Sequence, residues 1–284
     1  MPWIARAVWV ALAVAGGEAL DAATAARSAA VSTTATVGGI VLWVAGVAAL
    51  AVPSVAGVTA ARVVVPASVP ASVVAWVAGG GVPAAIATGI GILASIVVLS
   101  AEFGRAGVQA SAYGDEDRHP LRPPPAYALA AVVSWGCTVA AAIAGPLLLA
   151  AGNWIVGVPV AAAAVALGVF SWPRWHRLTR RWLVLVPAGV VVHDHLVLAE
   201  TLMLRRQEVA GIRLAPAGTE AADLTGPAGG HAVEILAAEP VTAIFAGTPR
   251  VPRGTVIHLT ACLVAPTRPG RALAAAGRRR LPVG

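Results

Sequence analysis

Residues 126–172 read AYALAAVVSWGCTVAAAIAGPLLLAAGNWIVGVPVAAAAVALGVFSW, and this stretch decides the class of the fold. The chain carries no charged residue from Pro123 to Pro173. A bilayer core about 30 Å thick requires roughly 20 apolar residues per helix. The stretch therefore predicts two transmembrane helices, 126–149 and 154–172, joined by a short turn at 151–153.

Four further apolar stretches precede this hairpin, at 3–20, 35–52, 55–78 and 82–100. They predict a four-helix transmembrane unit in residues 1–100, and six transmembrane helices in all. Pro66 and Pro70 interrupt the third stretch, and three glycines from Gly79 follow it. A cleaved signal peptide is the alternative for the first stretch, because Arg6 precedes a short apolar run.

The composition supports a membrane protein, since 58% of the residues are hydrophobic and only 12% are charged. A soluble domain carries about 25% charged residues. All 20 basic residues are Arg, which, with the abundance of Ala, Val, Gly and Pro, indicates a GC-rich bacterial genome such as that of an actinobacterium. The absence of Lys excludes a Walker A phosphate site and Schiff-base catalysis.

The charge is unevenly distributed along the chain. Residues 1–173 contain six Arg and six acids, whereas residues 174–284 contain 14 Arg and seven acids. Four arginines follow the last predicted helix directly: Arg174, Arg177, Arg180 and Arg181. The positive-inside rule places them in the cytoplasm, so six helices put both termini on the cytoplasmic side of a bacterial plasma membrane. The same four side chains are predicted to contact anionic lipid headgroups.

Residues 101–125 separate the four-helix unit from the hairpin. They contain the acidic run Asp115, Glu116 and Asp117 and the prolines Pro123, Pro124 and Pro125. A segment of this composition buries few apolar side chains, and its prolines favour an extended form. We therefore expect a cytoplasmic, Pro-rich loop.

Residues 173–284 contain short β-branched runs separated by Gly, Pro and Thr, which predicts a small sheet or barrel. An Ala- and Arg-rich end at 268–280 predicts a short helix. The runs RWLVL from Arg181, GVVV from Gly189 and LRRQEVAGI from Leu204 resemble the bacterial pleckstrin-homology-like domains that often follow transmembrane hairpins. The resemblance implies a mainly-β cytoplasmic domain. The whole chain also resembles polytopic membrane proteins of actinobacteria, a resemblance that implies no particular activity.

His193, Asp194 and His195 form the densest group of candidate metal ligands. In a strand, positions 193 and 195 share one face and position 194 faces the other way. Two ligands are too few for a structural zinc site, so we expect a polar hairpin tip. A metal-dependent enzyme that uses these residues remains one hypothesis.

Small residues recur at Ala87, Gly91 and Ser95 in the fourth predicted helix, a spacing that suits close helix packing within the chain or between chains. Cys137 and Cys262 are expected to be small buried residues in different compartments, without a disulfide.

The favoured hypothesis is a non-enzymatic membrane protein whose helices hold a basic β-rich domain at the inner leaflet. There the domain binds a protein partner or anionic lipid. We predict no catalytic residue, no cofactor and no nucleic-acid partner, and the sequence leaves the oligomeric state open. The alternative is a transporter or transporter subunit whose substrate path runs between Pro-interrupted helices, at Pro66, Pro70 and Pro83. Arg62, Thr59 and Thr88 are its candidate polar groups.

Overall fold

The computed structural model describes residues 2–247 and 254–284. Most of the first 180 or so residues are helical, and a β-sheet region with a final helix follows. The helices are α1 Pro2–Thr24, α2 Ala29–Ala51, α3 Val55–Ala75, α4 Gly81–Leu99, α5 Ala101–Gln109, α6 Pro125–Ala150, α7 Trp154–Thr179 and α8 Pro269–Arg278. The strands are β1 Asp117–Pro120, β2 Arg181–Val186, β3 Gly189–Asp194, β4 Leu202–Arg205, β5 Val209–Leu214, β6 Ala222–Asp223, β7 Val233–Phe245 and β8 Thr255–Val264.

Five helical segments of the described chain are long and apolar enough to cross a bilayer. One of them, Val55–Leu99, contains both α3 and α4. Gly79 reverses the chain between these two helices with a φ of 105°, a conformation that Gly adopts without steric cost. The hydroxyl oxygens of Ser72 and Thr88 lie 3.0 Å apart across the resulting antiparallel pair. The two apolar stretches predicted here therefore form separate helices.

Two tryptophans join α1 to α2 through reciprocal hydrogen bonds. The Trp9 indole donates to the Trp43 carbonyl at 2.9 Å, and the Trp43 indole donates to the Trp9 carbonyl at 3.1 Å. Gly46 lies under the Trp9 ring, where an added Cβ would come within 2.3 Å of ring carbons. Close approach of these helices thus depends on a residue without a side chain, as is common between helices in lipid.

Two arginines cap helix ends in the four-helix unit. The Arg6 side chain donates to the carbonyls of Leu50 and Ala51 at the end of α2, at 2.9 and 3.3 Å. Arg62 donates to the Val98 carbonyl at the end of α4, at 3.2 Å. The last carbonyls of a helix lack intrahelical donors and carry partial negative charge. Both cations therefore lie at one end of this unit, where α2 and α4 end.

Helices α3 and α6 run in the same direction. The Trp135 indole on α6 donates to the Val63 carbonyl on α3 at 2.9 Å. Farther along both helices, Val74 and Leu148 line one groove. Pro66 has no backbone N–H, so the helical ladder of α3 lacks the donor that would bond the Arg62 carbonyl four residues earlier.

Residues 108–129 and 176–284 form a second compact unit, which we call the β unit. One antiparallel sheet has the strand order β1-β2-β3-β4, and the other has the order β5-β7-β8-β6, in which β6 pairs in parallel with β8. The core between them contains fully buried side chains such as Leu185, Leu204 and Ile235, and α8 adds Ala272, Ala275 and Ala276.

The segment 101–125 differs from the extended loop that its composition suggests. It contains α5 and the strand β1, which pairs with β2 so that Arg118 lies opposite Val184. Leu121 is buried in the core of the β unit. The strand DRHP has no apolar alternation, so only its pairing with a distant strand identifies it. The β unit accordingly includes residues outside the predicted 173–284.

Candidate functional site

Three exposed arginines occupy the end of α7 and the residue that follows it: Arg174, Arg177 and Arg180. The Arg174 guanidinium lies 3.4 Å from the centre of the Phe170 ring. Arg174 and Arg177 lie in the last turns of α7, and contact of these three arginines with lipid headgroups stays a prediction.

Arg181 does not belong with these three, although the sequence places it in the same cluster. Its side chain is 1% exposed, and it donates to both carboxylate oxygens of Asp194 at 2.7 and 2.6 Å. It also donates to the Arg122 carbonyl at 2.7 Å. Arg181 opens β2 directly opposite Asp194 on β3, so the pair is made by strand register. Arg181 is therefore buried within the β unit and cannot reach a headgroup.

The two histidines lie in a stack of rings on one face of the first sheet. The His193 ring is parallel to the Trp182 indole, with centroids 5.0 Å apart, and His195 meets its edge at 4.2 Å. The Arg118 guanidinium lies 5.3 Å from the centre of the Trp182 ring. Asp194 faces Arg181 instead, so the three candidate ligands do not converge. The described residues contain no group of three or more metal-ligating side chains.

The environment of His193 keeps its ring neutral. Burial is the main cause that lowers the His193 pKa to about 4, and His195, Arg180 and Arg118 lower it further, while Asp194 opposes them. Nδ1 lies 3.1 Å from the Thr201 hydroxyl oxygen. Nε2 is buried and has no hydrogen-bond partner among the described residues. A protonated ring donates from both nitrogens and would need an acceptor at each, which Nε2 lacks.

Acid is expected to destabilise the β unit through His193. Its folded pKa of about 4 lies below the ordinary 6.5, so the unfolded chain binds more protons between these values. Stability is therefore lost as the pH falls from 6.5 towards 4, by about 1–2 kcal/mol after allowance for partial exposure. Thermal unfolding followed by near-ultraviolet circular dichroism measures this. The His193→Phe variant should lose less stability than the native chain over that window, and equal losses would contradict the assignment.

The small residues of α4 lie against α3 within the chain. Ala87 is buried, and a Cβ at Gly91 would come within 2.8 Å of the Ser68 hydroxyl oxygen. Ser95 donates its hydroxyl to the Gly91 carbonyl of its own helix at 2.7 Å. The closest neighbours of Gly91 are thus intramolecular.

The polar groups considered for a transport path are held by local hydrogen bonds. Thr59 donates to Val55 O at 3.0 Å, Thr88 donates to Ala84 O at 2.8 Å, and Arg62 caps α4. A groove of about 470 Å³ lies between α3 and α6, but its lining is apolar: Pro70, Val74, Ala140, Ile143, Ala144, Leu147 and Leu148. None of the three polar groups faces that groove.

A second groove, in the β unit, was not foreseen from the sequence. It also measures about 470 Å³ and is lined by Met203, Arg205, Glu208, Pro240, Val241 and Thr242. Apart from Glu208, which follows β4, the residues come from β4 and β7, about 35 positions apart in the chain, so no local motif marks them. The pairing of β7 with β8 is irregular beside the groove, because β7 has extra residues between Leu236 and Val241 relative to the partner strand.

The two cysteines differ in exposure. Cys137 is exposed on α6, which corrects the expectation that it is buried, because it faces away from the other helices. Cys262 is fully buried in the β unit, as expected. Burial, and then the charge of Glu234, raises the pKa of the Cys262 thiol to about 12.

The Cys262 thiol is expected to resist alkylation in the folded protein, because it is both inaccessible and protonated at neutral pH. In a Cys137→Ala background, maleimide incorporation should be slow until denaturant unfolds the β unit. Mass spectrometry after timed labelling measures the rate. Rapid labelling without denaturant would contradict the burial of this thiol.

A comparison of the chain with protein-family models, curated proteins and solved structures finds no match.

Proposed function

We propose that this chain is a multi-pass membrane protein without catalytic activity, which holds its β unit at the cytoplasmic surface of a bacterial plasma membrane to bind a protein partner or anionic lipid. One observation carries the membrane assignment. Only 11% of the residues in the most apolar windows of α6 and α7 are buried within the protein. Apolar surface on this scale is far larger than a soluble protein exposes, and lipid accommodates it.

The arrangement of cations supports the proposed orientation. Arg6 and Arg62 lie at one end of the four-helix unit, and α6 runs parallel to α3. If that end is cytoplasmic, α6 begins in the cytoplasm, α7 ends there, and Arg174, Arg177 and Arg180 lie on the same side. The positive-inside rule is then obeyed at both ends of the chain.

The architecture of the β unit supports a binding role. Two sheets of mainly antiparallel strands and a final helix enclose one apolar core. This arrangement is compatible with a pleckstrin-homology-like domain, the class that the sequence resembles. Its exposed arginines favour anionic partners.

Site-specific thiol labelling in intact cells and inverted vesicles tests the orientation. Single cysteines replace Ala26, Tyr113 and Ala217, which are exposed in the structure, in a Cys137→Ala background. Neighbouring Gly114 and Gly218 are unsuitable because their positive φ disfavours a side chain. The proposal expects external labelling at position 26 and labelling of the other two only in inverted vesicles. Labelling of position 217 from outside would refute it.

The arginines at the end of α7 are expected to retain anionic lipid. Each Arg near an anionic leaflet contributes about 1 kcal/mol of attraction. Changing Arg174, Arg177 and Arg180 to Gln should therefore reduce phosphatidylglycerol retained by the purified full chain, as counted by native mass spectrometry. Arg278→Gln, an exposed position on α8, is the control and should retain the native amount. Equal loss from the single change at Arg278 and from the three changes on α7 would contradict the assignment of lipid contact to the arginines of α7.

A further inference from the structure

One strand edge of the β unit is open, whereas the other strand edges in the described part of the chain are covered. Residues 282–284 lie along β5 and exchange two hydrogen bonds with Ile212. The Gln109 side chain accepts from the Arg118 N–H beside β1, at 2.9 Å. Strand β4 lies against β7, and β6 pairs with β8 only near the end of that strand. Residues 255–260 of β8 have no strand on the side away from β7, and we call them the open edge.

The backbone groups of the open edge follow from the pairing of β7. The Ile244 carbonyl accepts from the Ala199 N–H at 2.8 Å, on the side of β7 away from β8. Residues directly opposite each other in an antiparallel pair either bond to each other or both point away. Val256 lies opposite Ile244, and His258 lies two residues farther along the same strand. Both therefore direct N–H and C=O groups outwards, where no described residue bonds to them.

The side chains of the open edge give it no protection against pairing. The sequence from Thr255 to Thr260 reads TVIHLT and contains no acid, Arg or proline. Natural proteins usually guard an exposed edge with charged side chains or Pro. Val256 is 60% exposed, while Ile257 and Leu259 pack on the core from the other face of the strand. The open edge therefore has the properties of a site for strand addition.

A second copy of the chain fits the open edge because the edge is complementary to itself. In an antiparallel arrangement about a two-fold axis at Ile257, Val256 of each copy lies opposite His258 of the other copy. All of these residues point outwards, so each pair exchanges both of its N–H···O=C bonds. Ile257 then lies opposite its counterpart, and the apolar faces of the two sheets become continuous.

Two considerations favour a copy of this chain over an unrelated strand. The open edge carries no acid or Arg, so it has no charge with which to select an acidic or basic partner. Copies that share one membrane are also confined close to one another, which raises their effective concentration. An uncharged, self-complementary edge is thus best matched by itself.

We propose that two copies of this chain associate by antiparallel pairing of β8 along the open edge, with Val256 opposite His258. This inference goes beyond the proposed function, because it names a second copy as the occupant of a particular edge. It holds whichever side of the membrane the β unit occupies.

Disulfide cross-linking of the full chain in isolated membranes tests the proposal. Ile257→Cys, in a Cys137→Ala background, places two thiols on opposite residues whose Cα atoms are about 4.5 Å apart, within disulfide range. Oxidation with copper phenanthroline should join two chains. Thr255→Cys is the matched control, because its two thiols would be four residues apart along the strands, about 13 Å, and should cross-link at least about tenfold less. Cys262 is fully buried and should not react.

Val256→Lys tests the pairing without altering the core, because Val256 is exposed. In the paired edges the two lysines would be diagonal neighbours, about 7 Å apart, and would repel each other. Combined with Ile257→Cys, this change should lower the cross-linked fraction about tenfold or more. Val283→Lys makes the same change at another exposed position of the β unit and should lower it less than about twofold.

Native mass spectrometry gives a second measurement that does not depend on the substitution at Ile257. The chain with its native open edge should appear as a dimer in detergent micelles, and Val256→Lys should lower the dimer fraction about tenfold or more. Slow alkylation of Cys262 would verify that the β unit of each variant is folded.

Each outcome decides the proposal. Cross-linking at position 257 that is weak at position 255 and lost with Val256→Lys supports pairing of the open edges. Equal cross-linking at both positions, or no effect of Val256→Lys, would indicate random collision and overturns it. A monomer in both measurements, or a product that joins the chain to a different protein, also overturns it. The labelling experiment tests the membrane topology independently, so failure here leaves the anchoring role standing.

Discussion

Arg181→Met is expected to destabilise the β unit by about 3–5 kcal/mol, the largest effect that we predict for a single side chain. The substitution removes both hydrogen bonds to Asp194 and leaves that carboxylate buried without its cation. The Arg122 carbonyl also loses its donor. Unpaired buried charge costs far more than the pair contributes, because the carboxylate has lost water and keeps only the Leu196 N–H, at 3.1 Å, as a donor.

The Cys262 thiol gives a direct measurement of this effect. In a Cys137→Ala background, the alkylation rate under native conditions depends on the population in which the β unit is open. A loss of 3–5 kcal/mol should raise that rate by roughly two to three and a half powers of ten. Arg180→Met, one residue earlier and exposed, is the control and should leave the rate nearly unchanged.

A double variant separates the ion pair from general packing. Arg181→Met combined with Asp194→Leu removes both charges, and replacement of a buried pair by apolar residues is often close to neutral. The double variant should therefore be more stable than Arg181→Met alone. If the losses of the two single variants simply add, Arg181 and Asp194 are not energetically coupled.

Gly189→Ala is expected to destabilise the β unit by about 3 kcal/mol or more. Gly189 opens β3 with a φ of 151°, and a Cβ there would come within 2.0 Å of the Leu204 carbonyl oxygen. That oxygen belongs to the backbone of the neighbouring strand and cannot turn aside. The turn between β2 and β3 would have to shift, with loss of register to β4.

Gly218→Ala is the matched control for backbone strain. Gly218 has a φ of 75°, but an added Cβ would meet no atom within 4 Å. Its cost should be limited to strain of about 1 kcal/mol. Cys262 alkylation compares the two variants in the same background. Equal rates for both would show that conformational strain, and not the contact with Leu204, sets the effect.

The helices were predictable because their signal is local. Each apolar stretch is long enough to identify a helix without reference to the rest of the chain, and Gly79 marks the reversal between α3 and α4. The caps on α2 and α4 were not foreseen as contacts. Arg6 and Arg62 reach carbonyls 44 and 36 residues away, which no sequence window connects.

In the β unit, by contrast, much of the structure depends on residues that are far apart in the chain. Its short β-branched runs predict strands, but strand β1 carries charges and a proline and has no periodic pattern. The burial of Arg181 was likewise not predictable from the neighbouring sequence. Its sequence neighbours are exposed arginines, and only the register between β2 and β3 places it opposite Asp194. The second groove, in the β unit, likewise depends on how the strands pair, since its residues come together only across β4 and β7.

The sequence by itself therefore determined the apolar helices, their approximate limits, the segregation of charge and the mainly-β character of the C-terminal region. These properties follow from runs of neighbouring residues, because burial in lipid and strand propensity act locally. Tertiary structure alone decided which arginine is buried and which segment completes the first sheet. Those outcomes depend on strand register and on contacts between residues far apart in the chain, where a shift of one residue turns a core side chain to the surface.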